Sequence, residues 1–263
     1  MDPELHFLDT PDEVHFGSLG EPKKVKAPTI LVIGSDLEYS LTTTEINQIG
    51  RLLGPKGIAS FALDVPCHGT DSRPNEPQGL EGWRARLEND EDFVAPFNQK
   101  ISSIIDHLIA EGYSDPDRIA LAGTSRGGFM GLHAMAAEPR IGWGIAFAPV
   151  TELPVLGEFH GLENHPLTQS LAISNVADKL VGRPLWMCIG STDERVGTDA
   201  LIAFSRKIVA ASIARNIPPP VELHILQTEG HRIHATAHEE AAFWLSNHWN
   251  ELPHAPKSSP RNN

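Results

Sequence analysis

Gly123-Thr124-Ser125-Arg126-Gly127 is a G-x-S-x-G pentapeptide set between two segments of opposite character. Arg118 to Ala122 before it reads as a short buried strand, and Phe129 to Ala137 after it reads as a helix of small residues. A chain that passes from strand to helix in so few residues must turn sharply, and a serine at the apex has a strained backbone. Glycines two positions to either side let the flanking chains approach. The pattern fits a nucleophile elbow, which presents the serine hydroxyl at the carboxyl end of a sheet. Its alternative is a glycine-rich turn whose serine only caps the helix.

The rest of the chain alternates strand and helix patterns, the mark of a parallel sheet with crossover helices. Thr29 to Ile33, Ile58 to Asp64, Arg118 to Ala122, Gly144 to Ala148, Leu185 to Ile189 and Val221 to Leu226 are the strand candidates. Near-continuous apolar runs of this kind suit strands buried on both faces. Glu4 to Leu8 and Glu13 to Ser18 are expected as antiparallel edge strands. Helices are expected over 97–111, where Ile101, Ile104, Ile105 and Leu108 share one face, and over 201–214 and 235–249. The stretch from Asp71 to Asp92, rich in Pro, Asn, Glu and Gly, reads as a long loop. With 40% hydrophobic residues in 263, the chain can bury one large core. The expected organisation is one domain over 1–252, with a small cap over 151–182 and a disordered tail over 253–263.

A serine nucleophile needs a base to take its proton and a third group to orient that base. Both must follow later strands, since the ligand crevice of a parallel sheet lies outside the strands' carboxyl ends. Asp193 follows the run Leu185 to Ile189, with Glu194 and Asp199 in reserve. Asp193 also suits a simple turn or cap. His231 follows Val221 to Leu226 on a glycine-preceded loop. It competes with His234 and His238, which with it form an i, i+3, i+7 set also open to a metal reading. That reading is set aside, because no cysteine or carboxylate completes a ligand set and 13 histidines make chance clusters common. The oxyanion of a tetrahedral intermediate needs backbone donors: the amide of Arg126, and one from the loop after Ile33, Ser35 or Asp36. The Arg126 side chain reads as an anchor of the turn in preference to a pocket group. Trp83, Trp143 and Trp186 read as core.

Taken together, Ala122 to Phe129, Gly190 to Val196 and Glu229-Gly230-His231 resemble the α/β-hydrolase superfamily, in its prolyl-oligopeptidase/dienelactone-hydrolase-like branch. Leu63-Asp64-Val65-Pro66-Cys67-His68-Gly69-Thr70 is similar to the superfamily's D-x-P-G-H-G turn, with Cys67 where glycine is usual. The resemblance covers roughly 28–250. It implies a mostly parallel sheet of about eight strands flanked by helices, and a Ser-Asp-His triad on Ser125, Asp193 and His231. The loop after Ile33 departs from the H-G-G type of lipases. No β-propeller precedes the hydrolase segment, which weakens a peptidase reading. The function expected is that of a serine hydrolase, a carboxylesterase acting through an acyl-enzyme on a small-molecule ester. The alternatives are a small serine peptidase or amidase with the same triad and a non-catalytic binding protein of hydrolase fold.

A net charge of −13 and the lack of a basic run argue against nucleic acid or an anionic membrane as partner. No segment approaches the ~20 apolar residues that span a bilayer. Met1 to His6 lacks a signal-peptide pattern, and the two cysteines, Cys67 and Cys188, suit buried free thiols, so a cytoplasmic setting is expected. No cofactor and no metal is called for.

Overall fold

Consecutive residues of the central strands point to opposite sides of one sheet, and each side has its own core. The computed structural model describes residues 4–251; the expected tail over 253–263 lies outside the described residues. The elements are β1 (Leu5–Asp9), β2 (His15–Leu19), β3 (Ala27–Ile33), α1 (Leu37–Thr42), α2 (Thr44–Leu53), β4 (Ala59–Ala62), α3 (Gly79–Glu88), α4 (Val94–Ala110), β5 (Ser114–Thr124), α5 (Arg126–Ala137), β6 (Ile141–Phe147), α6 (Pro166–Ser170), β7 (Leu185–Gly190), α7 (Thr198–Ala214), β8 (Val221–Leu226) and α8 (Ala235–Glu251). The strands form one sheet in the order β1-β2-β4-β3-β5-β6-β7-β8. β1, β2 and β4 pair antiparallel, and every pair from β4 through β3 to β8 is parallel. This is the α/β-hydrolase fold.

Leu31, Ile33, Leu121, Ala146 and Met187 face the larger core with α4, α5 and α7. Ile30, Val32, Ala120, Ala122, Ile145, Phe147 and Trp186 face the other, closed by α2 and α8 through Ile49, Leu53, Ala241 and Leu245. The period of two in the pleat is what divides them. α4 uses the stripe expected of it, Ile101, Ile104, Ile105 and Leu108, all buried. Each such side chain contributes on the order of 1.5–3 kcal/mol relative to exposure.

The expected loop over 71–92 is interrupted by α3. Leu80, Trp83 and Leu87 fall on one face and bury against the larger core. Trp83 stacks on Phe93 at 4.8 Å between centroids and donates its indole N–H to the Pro66 carbonyl at 2.6 Å. Helices α1 and α2 also go beyond the sequence expectation. The segment 151–182 holds three short 3-10 stretches and α6, and it sends Leu153, Leu156, Phe159, Ile173 and Leu180 into the larger core. Cys67 and Cys188 are both buried and free. No helix among the described residues is long and apolar enough to cross a membrane.

Candidate active site

Ser125 sits at the apex between β5 and α5 with φ 54° and ψ −117°, a backbone conformation that ordinary residues avoid. Such a conformation costs about 1–3 kcal/mol and persists only where the surroundings over-determine it. Three main-chain bonds do so here. The Ser125 amide donates to Phe147 O at 2.9 Å, and Ser125 O accepts Phe129 N at 3.2 Å and Val150 N at 3.1 Å. The flanking glycines have steric reasons. A Cβ at Gly123 would stand 2.4 Å from Gly127 O, and one at Gly127 would stand 2.0 Å from Ile33 O. The G-x-S-x-G pattern is thus the imprint of α5 crossing tightly over the ends of β5 and β3.

The structure brings Ser125, His231 and Asp193 together. His231 Nε2 lies 2.9 Å from Ser125 Oγ, and His231 Nδ1 lies 2.7 Å from Asp193 Oδ2. Asp193 comes from the turn after β7 and is 2% exposed; His231 comes from the loop after β8 and is partly exposed. The two loops touch closely, for a Cβ at Gly190 would lie 2.6 Å from Thr228 Oγ1 and 2.9 Å from Gly230 O. Asp193 Oδ1 accepts the amides of Arg195 at 3.0 Å and Val196 at 3.2 Å. Burial alone would raise the Asp193 carboxyl, but His231 and these two amides outweigh it and hold the group below its ordinary range. With Nδ1–H turned to a carboxylate, the His231 lone pair on Nε2 faces the serine hydroxyl.

The reserve residues lie elsewhere. Glu194 is exposed and Asp199 occupies the first turn of α7. His234 bonds Thr236 Oγ1 at 2.9 Å, and His238 is buried, stacked on Phe147 at 4.1 Å. Trp83 and Trp186 are core residues.

β3 lies directly beside β5, so the loop after Ile33 ends next to Ser125. A cavity of about 520 Å³ opens there, lined by Ser35, Tyr39, Glu45, Ile46, Ser125, Arg126, Ala148, His231, Arg232 and Ile233, among others. Arg126 opens α5, where a first-turn amide has no intrahelical acceptor and points along the positive end of the helix. The Ser35 amide donates to Ser40 Oγ at 3.2 Å. Asp36 does not line this cavity. It caps α1, accepting Tyr39 N at 2.8 Å, and borders a neighbouring depression with His68 and Gly69. Sequence reasoning missed Tyr39, Glu45, Ile46, Arg232 and Ile233, whose only signal was adjacency to the two functional loops.

Arg126 also lines the cavity, whereas the sequence favoured a turn anchor. It does both. Nη1 bonds His68 Nε2 at 2.9 Å, tying the elbow to the turn over 64–70. That turn is itself bound to the oxyanion-side loop, since Asp64 accepts Leu37 N at 2.6 Å and Thr70 N at 2.7 Å. Cys67, in the place where glycine is usual, has φ 61°.

Residues 98–250, more than half the chain, match the model of the prolyl oligopeptidase family. No curated protein gives a significant match. The fold is similar to dipeptidyl peptidase 4 of Porphyromonas gingivalis, with TM-score 0.70 and 17% identity over 93% of this chain and 35% of that one. It is similar to TT1662 from Thermus thermophilus, with TM-score 0.72 and 16% identity over 96% and 100% of the two chains. An acetyl xylan esterase from Paenibacillus sp. R4 gives TM-score 0.64 and 18% identity over 92% and 82%. The chain thus spans about a third of the length of the peptidase.

Proposed function

The chain belongs to the prolyl oligopeptidase family, and from that premise we propose that it is a serine hydrolase, a carboxylic-ester hydrolase that works through an acyl-enzyme on Ser125. The observation that carries it is the relay Ser125 Oγ–His231 Nε2 at 2.9 Å and His231 Nδ1–Asp193 Oδ2 at 2.7 Å. His231 takes the hydroxyl proton as Ser125 Oγ attacks the ester carbonyl. The negative charge that gathers on the carbonyl oxygen meets the amide of Arg126; the Ser35 amide, which donates to Ser40 Oγ, would have to leave that bond to join it. Collapse of the intermediate breaks the acyl–oxygen bond, and His231 gives its proton to the departing alcohol. Water then repeats the cycle on the acyl-enzyme, with Asp193 orienting the imidazole and stabilising its charged form throughout.

A cavity of about 520 Å³ suits a small molecule. An ester is favoured over an aminopeptidase substrate by the placement of carboxylates. Glu158 is held by both nitrogens of Arg195, Glu163 accepts the Gly161 amide on the surface, and Glu152 is half-buried beside Ser174. None of the three lines the cavity, which leaves Glu45 as its carboxylate. The family, and the peptidase among the structural neighbours, favour the second reading, a small peptidase or amidase on the same triad. The esterase matched over most of its own length favours the first. Two buried free thiols fit a reducing cytoplasm as the place of action.

The test is hydrolysis of p-nitrophenyl esters from acetate to decanoate, with aminoacyl p-nitroanilides alongside, by wild type and Ser125→Ala. Ester turnover abolished in the variant supports the reading. Full ester turnover by Ser125→Ala overturns it, and faster turnover of the anilides moves the enzyme to the peptidase reading. Failure of a fluorophosphonate to label Ser125 favours a binding protein.

A further inference from the structure

Arg126, the residue after the nucleophile, is half-buried, and no carboxylate among the described residues lies within ion-pairing distance of its guanidinium. Its hydrogen-bond partner is neutral. His68 Nδ1 lies 2.9 Å from Pro66 O, which requires the ring hydrogen there and turns the Nε2 lone pair towards Arg126 Nη1. Burial and the adjacent Arg126 charge both hold His68 below its ordinary range, so the ring stays uncharged. One neutral acceptor engages one of five N–H donors.

The surrounding charge does not complete the pairing. Glu158 acts on Arg126 from a distance, but both its oxygens are committed to Arg195, at 2.7 and 2.5 Å. Arg195 adds a second positive charge that acts on Arg126. On the cavity wall, Arg126 and Arg232 stand against the single carboxylate Glu45. Taking a guanidinium out of water without a counter-charge is costly. A planar fork on a residue that lines a cavity is also the group best shaped to receive a carboxylate with two parallel bonds.

We infer that Arg126 determines specificity by anchoring a carboxylate carried on the substrate, so that this site takes anionic esters, such as monoesters of dicarboxylic acids or esters of hydroxy acids. This rests on the ester-hydrolase reading. The shared chemistry is a free carboxylate close to the scissile ester, and it can stand on the acyl or the alcohol side.

Two matched pairs distinguish the sides: monomethyl glutarate against methyl valerate, and 4-acetoxybenzoate against 4-acetoxybenzamide. In at least one pair kcat/KM for the charged ester should exceed that of its neutral partner by about tenfold, mainly through KM. Arg126→Gln should bring that ratio to about one, with Arg126→Lys between. Absence of a charge preference in the wild-type enzyme, in both pairs, overturns the inference and needs no variant. So does a preference that survives Arg126→Gln, the result expected if Arg126 only anchors the turn. Binding of the charged members to Ser125→Ala, read by calorimetry, separates this inference from the one beneath it. Arg126-dependent binding without turnover of any ester leaves the anion site standing and removes the esterase. Turnover of esters without charge preference does the reverse, and neither binding nor turnover removes both.

Discussion

Asp193 divides its two oxygens between unlike duties: Oδ2 faces His231 Nδ1 at 2.7 Å, and Oδ1 accepts the amides of Arg195 and Val196 at 3.0 and 3.2 Å. In Asp193→Asn those two amides recruit the side-chain oxygen and turn the NH2 towards the imidazole. A donor facing Nδ1 forces the ring hydrogen onto Nε2, and the base can no longer accept the serine proton. kcat should fall about 10⁴-fold while the fold survives. Steady-state ester hydrolysis and circular dichroism of the same sample check it. A loss under tenfold would mean that Asp193 does not set the tautomer.

Gly127→Ala tests the elbow. Its Cβ would meet Ile33 O at 2.0 Å and Ile33 C at 2.5 Å, both backbone atoms of a strand paired on each side. Neither can retreat without breaking the ladder. The variant should lose about 3 kcal/mol or more, a melting temperature lower by roughly 10 °C. Gly54→Ala is the control, with open space around the new Cβ and φ −51°, and should change stability by under about 0.5 kcal/mol. Thermal melts of the two variants decide whether the cost is the elbow's or glycine's in general.

Strands of the sheet's parallel half such as β3 and β7 were legible because they are buried on both faces, so that Ile30 to Ile33 and Leu185 to Ile189 read as unbroken apolar runs. The same holds for α4, whose stripe follows the helical period. α3 was not legible. Pro74, Pro77, Gly79 and Gly82 give its region the composition of a loop, and the helix draws its stability from Trp83 and Arg86 meeting residues far along the chain. At the site, positions after strand ends located Ser125, Asp193 and His231. That Asp36 caps α1 and that the Ser35 amide bonds Ser40 Oγ was beyond such reasoning, because both depend on how the chain turns into α1. The direction of the Arg126 side chain was too, since it is set by His68, 58 residues away.

Two buried histidines should govern the acid limb of stability. Burial pushes His133 and His238 down to about 4, opposed in His133 by the bond to Leu171 O and in His238 by a bond to the Glu45 backbone. Both are neutral in the folded protein and take protons near pH 6.5 once unfolded. The unfolded chain therefore binds more protons between pH 6.5 and 4, and stability falls with pH through that window. Each group should cost about 2 kcal/mol between pH 7 and pH 5. Urea midpoints at the two pH values, for wild type and His238→Gln, test this. The variant is less stable at pH 7, yet its loss on going to pH 5 should be smaller by about that amount.

Arg86 should be the costliest surface-proximal charge to remove. Its side chain is 5% exposed and reaches Glu76 at 2.7 and 2.9 Å, Asp71 Oδ1 at 3.0 Å and Asp71 O at 3.2 Å. Asp71 in turn holds the Cys67 amide at 2.9 Å, so the arginine braces the turn beneath His68 and hence Arg126. Arg86→Met leaves two largely buried carboxylates facing each other, with Lys100 on one and Arg73 at 3.9 Å from the other. Unfolding free energy should drop by about 3–5 kcal/mol, against under about 1 kcal/mol for Arg215→Met, whose pair with Asp178 is open to solvent. The hydrogen bond from Arg86 holds the Glu76 carboxyl below its ordinary 4.5. Stability from that depression is present above pH 4.5 and is lost as pH falls through the folded value. The gap between wild type and Arg86→Met should therefore narrow in acid. Equal losses in the two arginine variants, at any pH, would mean that the buried cluster contributes no more than an exposed pair.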